Sequence, residues 1–240
     1  MSGRPVVTLT TDFGTGSPYV AAMKAAVLAR CPEAILVDAV HEVPPFDVAA
    51  GAFLLWAATR DFGPGSVHLA VVDPGVGTGR RGLAVRAGGR CYVAPDNGLL
   101  ELVLSEHEVE AAVELVAPPG ASRTFEGRDV FAPAAGDLAA GRPLEQLGRP
   151  VSGLVRLPPG PPRVLWVDRF GNLVTNLKPP VAGLRINGRA LLASATTFGE
   201  GRPGEPFLYT GSLGYVEVGV REDRADRVLR AGAGSSVEVI

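Results

Sequence analysis

The sequence predicts an α/β fold, with an N-terminal, mostly parallel sheet flanked by helices and a small antiparallel, β-barrel-like C-terminal domain. Three observations predict it. The first ~115 residues alternate short apolar runs with segments of helical period. A stiff Pro/Gly segment, LPPGPP (157–162), then interrupts the chain. Beyond it the signals are nearly all short strands. The expected boundaries are an α/β domain over 1–156, a linker over 157–162 and a β domain over 163–240.

VVTLT (6–10) is a β-branched run that stops at Thr11-Asp12-Phe13-Gly14. YVAAMKAAVLAR follows, with Val20, Met23 and Val27 at helical spacing. AILVDAV (34–40) reads as a buried strand, and Asp47 starts a second helix, DVAAGAFLLWAATR. VHLAVVD (67–73) is a further buried strand that ends at a carboxylate. This βαβαβ rhythm is that of parallel strands covered by helices. GLAVRAGGRCYVAPDNG then reads as a hairpin about Gly88-Gly89, GLLELVLSE as a short helix and EAAVELVAP as a strand. DVFAPAAGDLAAG (129–141) reads as a helix interrupted at Pro133. In the second domain, RVLWVDRFGNLVTNL folds as two strands about Phe170-Gly171-Asn172. LRINGRALL carries the Asn187-Gly188 signal of a type I′ hairpin, and FLYTGSLGYVEVGV and SSVEVI complete the set.

Among the 240 residues, 46% are hydrophobic and 20% charged, enough apolar content to bury a core rather than remain disordered. A formal net charge of −2 argues against nucleic acid or charge-driven membrane attachment as partners. No apolar stretch approaches the ~20 residues of a membrane span, and the start lacks a signal-peptide pattern. A cytoplasmic location is therefore expected, with Cys31 and Cys91 reduced. His41, His68 and His107 show no metal-ligand spacing, so no metal is expected.

Four constellations carry chemistry. Asp12 leaves the end of the first strand, where α/β sheets bind ligands, and its carboxylate suits a sugar diol; a helix cap is the alternative. Asp73 leaves another buried strand, and Arg80 follows seven residues on across the glycines of DPGVGTGRR. The two can pair, keeping the carboxylate ionised and aimed, or form a salt bridge of purely structural use. Gly77, Gly79 and Gly82 match GxGxxG only formally, because a strand follows instead of a helix. Arg123 to Asp129 packs four charges beside Phe125, either as site residues or as a solvated helix start with an Asp cap. Asp168-Arg169-Phe170-Gly171-Asn172 offers a ring to stack on a flat ligand and an amide to read a purine edge, or is simply a turn with an exposed ring.

Taken in order, TLTTDFG, VVDPGVGTGRR, APDNGLL, FEGRDVFAPAA, DRFGNLVTNL and GSLGYVEV make the chain resemble the S-adenosyl-L-methionine hydroxide adenosyltransferases, relatives of the fluorinating and chlorinating enzymes. The resemblance covers nearly the whole chain. It implies an α/β domain with a β-barrel-like partner, and a homotrimer with active sites at subunit interfaces. It implies hydrolysis of S-adenosylmethionine to adenosine and L-methionine, without metal or cofactor. By resemblance, Asp12 holds the ribose hydroxyls, Phe46 lies against the sugar, and Asp73 and Arg80 handle the water. Phe170 and Asn172 would contact adenine and ribose, and Ser212 the methionine end, with Asp168 and Tyr215 also in the substrate-binding set. Two positions depart from the family pattern. Glu126 stands where the family has a histidine beside Asp73 and Arg80, and Ser17 where an acidic residue is usual. The alternatives are an adenosine- or S-adenosylmethionine-binding protein with little turnover, and a halide-dependent enzyme.

Overall fold

The structure, a computed structural model, describes residues 3–240. The chain divides into two compact units, which meet between Pro158 and Pro159.

The first unit runs β1 (Val6–Thr11), α1 (Pro18–Leu28), β2 (Ile35–Val40), α2 (Val48–Thr59), β3 (Val67–Val71), β4 (Gly82–Ala87), β5 (Arg90–Pro95), α3 (Glu101–Glu106), β6 (Val109–Leu115), α4 (Ala132–Ala139) and β7 (Gly148–Pro150). The seven strands form one sheet in the order β2-β1-β3-β5-β4-β6-β7. β2, β1, β3 and β5 are parallel, and the remaining pairs are antiparallel. The chain leaves β1 for β2 on one side and returns across it to β3 on the other. β1 and β3 therefore flank a topological switch point, where helices on opposite faces leave a crevice at the carboxyl ends of the strands.

Local sequence explains the helices. Ser17 caps α1 by accepting from the Tyr19 amide, Pro18 sits in its first turn, and Val20, Met23 and Val27 form the buried face. Asp47 caps α2 through the Ala50 amide, and every residue from Ala50 to Trp56 is buried. β2 differs from its expected burial: it lies at the sheet edge, pairs only with β1, and exposes Ile35. Pro133 does not interrupt its helix. The preceding turn, Gly127–Phe131, widens to a π-helix, with the Ala132 amide bonded to the Gly127 carbonyl, and runs directly into α4. A wider turn moves backbone carbonyls away from the proline ring, which a regular α-turn would bring into collision.

Val7, Leu9, Met23, Val27, Leu69 and Phe131 anchor the core on the α1/α4 face. On the other face His68 is fully buried, with Nδ1 2.9 Å from Thr8 Oγ1 and Nε2 3.0 Å from Ser66 Oγ. Burial, helped by Arg90, lowers its pKa to about 3. Between that value and the ordinary ~6.5 the unfolded chain binds the extra proton, so stability contributed by neutral His68 is complete above ~6.5 and is lost as pH falls towards ~3. The loss approaches ~1.4 kcal/mol per pH unit within that window. Urea titrations from pH 7 to 4 should show this slope in the wild type and its reduction in His68→Gln.

The second unit contains β8 (Val164–Val167), β9 (Leu173–Thr175), β10 (Leu184–Ile186), β11 (Arg189–Leu191), β12 (Pro206–Thr210), β13 (Val216–Val220), α5 (Ala225–Leu229) and β14 (Glu238–Val239). Two antiparallel sheets, β11-β10-β14 and β12-β13-β9-β8, take the place of a closed barrel. Asn187 and Gly188 both have positive φ, as a type I′ turn requires. Val164, Leu173, Leu184, Val218 and Leu229 share the core. The sequence reading missed α5. It is five residues long, buries Ala225 and Leu229, and ends at Arg230 in the left-handed conformation.

Candidate active site

The crevice at the ends of β1 and β3 holds a cavity of about 240 Å³. Asp12, Phe46, Asp73 and Glu126 all line it, together with Phe13 and Phe125. The strand ends deliver the two aspartates, and the π-helical turn delivers Glu126 at its start.

Arg80 joins the two acidic groups. Its Nε lies 2.9 and 3.0 Å from the Asp73 oxygens, and its Nη2 bonds Asp73 Oδ2 as well. The same Nη2 is 2.6 Å from Glu126 Oε2. Asp73 is 4% exposed, Arg80 10% and Glu126 19%, so the network is largely withdrawn from water. Burial works to lower the Arg80 pKa, but Asp73 and Glu126 outweigh it and hold the pKa above its ordinary value. The guanidinium also lies 5.1 Å from the Phe131 ring centroid. The result is a fixed cation between two carboxylates, with net charge −1.

The DPGVGTGRR loop reaches this geometry through Gly77, whose φ is +74°. A Cβ there would lie 2.3 Å from the Arg123 carbonyl oxygen, so only glycine lets the loop pass. Arg81 takes a different partner from Arg80. It pairs with Asp96 and bonds the Gly153 carbonyl, while Asp96 Oδ1 accepts from the Val155 amide. The APDNGLL motif thus pins the irregular segment after β7.

Asp12 Oδ2 accepts the Phe46 amide at 3.0 Å. Phe46 has φ +65° and is 73% exposed, a strained conformation that holds an aromatic ring at the cavity mouth. Phe13, Tyr19 and Phe125 form an edge-to-face cluster beside it, which sequence reasoning missed because Phe125 comes from a segment far along the chain from the other two. Asp129 is not the cap of a helix. It lies inside the π-helical turn, pairs with Arg128 and accepts the Ser122 amide.

In the second unit, Phe170 and Asn172 line a cavity of about 470 Å³ with Phe198, Val220, Glu222 and Arg224. Asp168 supports Asn172 by accepting its backbone amide at 2.8 Å and its side-chain amide at 2.7 Å. Phe170 is exposed, at the tip of the turn. Gly171 is required there, since a Cβ would meet the Arg224 side chain at 2.7 Å. Ser212 is exposed in the β12–β13 turn, and Tyr215 is buried with Lys178 Nζ 3.5 Å from its ring centroid. Among the described residues, no group of three or more His, Cys, Asp or Glu is placed to hold a metal ion, and no helix is long and apolar enough to cross a membrane.

Profiles of the SAM hydroxide adenosyltransferase N-terminal and C-terminal domains match residues 7–148 and 162–238. The chain belongs to the SAM hydroxide adenosyltransferase family. Within that family it is 44% identical to the (R)-S-adenosyl-L-methionine hydrolase of Thermus thermophilus, over 99% of this chain and 100% of the relative. A fluorinase of an Actinoplanes species is 30% identical over 90% of each chain. The crystal structure of an uncharacterized conserved protein from Thermotoga maritima superposes with a TM-score of 0.86 at 33% identity, covering 98% of this chain and 99% of that one. The segments TLTTDFG, VVDPGVGTGRR and FEGRDVF contribute residues to the first cavity, and DRFGNLV to the second.

Proposed function

We propose that this protein hydrolyses S-adenosyl-L-methionine to adenosine and L-methionine. The observation that carries the proposal is the buried Asp73–Arg80–Glu126 network at the wall of the β1/β3 cavity. Water attacks C5′, an O–C5′ bond forms, and the C5′–S bond breaks with its electron pair on sulfur. The leaving group is a neutral thioether, so no general acid is required. Asp73 orients the water and takes its proton as the bond forms, while Arg80 fixes the carboxylate and Glu126 fixes the far side of the guanidinium. The net negative charge favours the sulfonium cation and repels halide, which supports water over an anion as the nucleophile.

Asp12 binds the ribose diol and Phe46 covers the sugar. Phe170 and Asn172, braced by Asp168, receive adenine and ribose, and Ser212 and Tyr215 serve the methionine end. Residues 1–156 form the domain that carries the chemistry and 163–240 the domain that binds the base. The working form is a cytoplasmic homotrimer whose sites join one subunit's N-terminal domain to the next subunit's C-terminal domain. The relative's name carries the descriptor (R), and we assign the R epimer at sulfur as the substrate of this chain.

The test is incubation with a mixture of both sulfonium epimers in H₂¹⁸O, followed by chromatography and mass spectrometry. Adenosine labelled at O5′, unlabelled methionine, and loss of the R epimer are expected, with neither product from Asp73→Ala or Glu126→Ala. Bound adenosine without turnover would replace the hydrolase with a binding protein. A 5′-halo nucleoside on addition of chloride or fluoride would replace water with halide.

Phe46→Gly separates strain from binding. It relieves the left-handed backbone but frees the unfolded chain, so stability should change by less than ~1 kcal/mol. Loss of the ring should weaken adenosine binding about tenfold, as read by calorimetry beside thermal denaturation.

A further inference from the structure

The end of β2 holds the end of β1 through side chains that line neither cavity. His41 is buried, with Nε2 2.9 Å from Asp38 Oδ1 and Nδ1 2.9 Å from Thr11 Oγ1. Lys24 on α1 reaches the other Asp38 oxygen at 2.6 Å. Thr11 is also buried, and its hydroxyl oxygen accepts the Phe13 amide at 3.3 Å.

With a neutral imidazole these contacts have one consistent direction. An ionised Asp38 only accepts, so His41 carries its proton on Nε2. In the neutral ring Nδ1 is then an acceptor, and the Thr11 hydroxyl must donate to it. The Thr11 oxygen is left free to accept from Phe13. The chain of donors therefore runs from the Phe13 amide through Thr11 and His41 to Asp38, where Lys24 ends it. The residue between Thr11 and Phe13 is Asp12.

Two further hydrogen bonds tie the same two loops together. The Gly14 amide bonds the His41 carbonyl at 2.8 Å, and the Thr15 amide bonds Glu42 Oε1 at 2.8 Å. They set the separation of the loops. The hydroxyl–imidazole link acts instead on the rotation of the Thr11–Phe13 segment, and so on the direction of the Asp12 carboxylate. That carboxylate's Oδ2 accepts the Phe46 amide, and the backbone at Asp12 sets where the whole group stands.

We infer that His41 and Thr11 are positioning residues that aim Asp12 at the ribose hydroxyls of the substrate, an inference that rests on the assignment of Asp12 to the diol. Thr11→Val keeps the shape and strand preference of threonine and removes the hydroxyl, whereas Thr11→Ser keeps the hydroxyl. His41→Asn can still reach Thr11 from the Nδ1 position but loses Asp38. His41→Gln can still reach Asp38 from the Nε2 position but loses Thr11.

The experiment is calorimetric binding of adenosine and of 2′,3′-dideoxyadenosine to the full chain and these four variants, with KM and kcat measured for each. The wild type should prefer adenosine. Thr11→Val and His41→Gln should lose about tenfold in adenosine affinity, the worth of one hydrogen bond to a charged group, and keep their affinity for the dideoxynucleoside. Their KM should rise with kcat nearly unchanged, while Thr11→Ser and His41→Asn should stay close to wild type. A folded Thr11→Val that prefers adenosine as strongly as the wild type, or that loses affinity for both nucleosides equally, overturns the inference while leaving Asp12 in place. A wild type with no preference overturns the assignment of Asp12 and the inference with it. If Thr11→Val fails to fold, the His41→Gln and His41→Asn pair decides by the same comparison.

Discussion

Asp73→Asn should lower kcat roughly 100- to 10,000-fold, the range for removing a positioned base. The substitution keeps the shape of the side chain and removes both its charge and one of its two acceptor oxygens. Arg80 donates to both oxygens through Nε and Nη2, so an asparagine must turn its amide N–H₂ towards a guanidinium that cannot accept. The remaining Arg80–Glu126 pair is neutral overall and no longer attracts a sulfonium. Because the proton moves only as the O–C5′ bond forms, kcat should fall, and loss of the attraction for the sulfonium should lower kcat/KM at least as far. Steady-state adenosine release measures both. A kcat within threefold of the wild type would remove Asp73 from the chemistry and shift attention to Glu126.

Arg80→Met should cost about 3–5 kcal/mol of stability, the usual penalty for deleting one partner of a buried ion pair. Here one cation serves two shielded carboxylates, so its loss leaves two like charges facing each other. For a chain of this length the drop in Tm is on the order of 10 °C. Arg80→Lys retains the charge but cannot span both oxygens of Asp73 and Glu126 at once, and should recover part of the stability and little activity. The triple variant Arg80→Met, Asp73→Asn, Glu126→Gln should regain most of the lost Tm and no turnover, since the polar groups then no longer repel. If Arg80→Met melts with the wild type, the network is not as dry as its exposure indicates.

Much of this was legible in the sequence because the signals were local. The Asn187-Gly188 turn, the Asp47 cap and the Gly88-Gly89 hairpin each rest on a few adjacent residues. Asp12 and Asp73 could be picked out because both follow buried strands. Features set by tertiary placement were not legible. β2 reads as a buried strand, yet its rank in the sheet makes it an edge. Glu126 stood among the four charges of Arg123 to Asp129, but its pairing with Arg80 depends on a turn whose π character no residue type announces. The Arg81–Asp96 link and the His41–Thr11 link join residues 15 and 30 positions apart. Periodicity carries no information about such contacts.

The π-helical turn has a consequence for how this site can change. An α-helix advances its side chains by about 100° per residue. The Ala132-to-Gly127 hydrogen bond spans one residue more than an α-turn. Deleting a single residue between them would restore ordinary winding ahead of α4 and press a backbone carbonyl towards the Pro133 ring. Everything upstream would rotate by roughly that angle, carrying Glu126 away from Arg80 and setting its neighbour in the helix start against the guanidinium. The side chain set against Arg80 is therefore sensitive to a one-residue indel as well as to substitution, at a cost to the core in which Val130 and Phe131 lie.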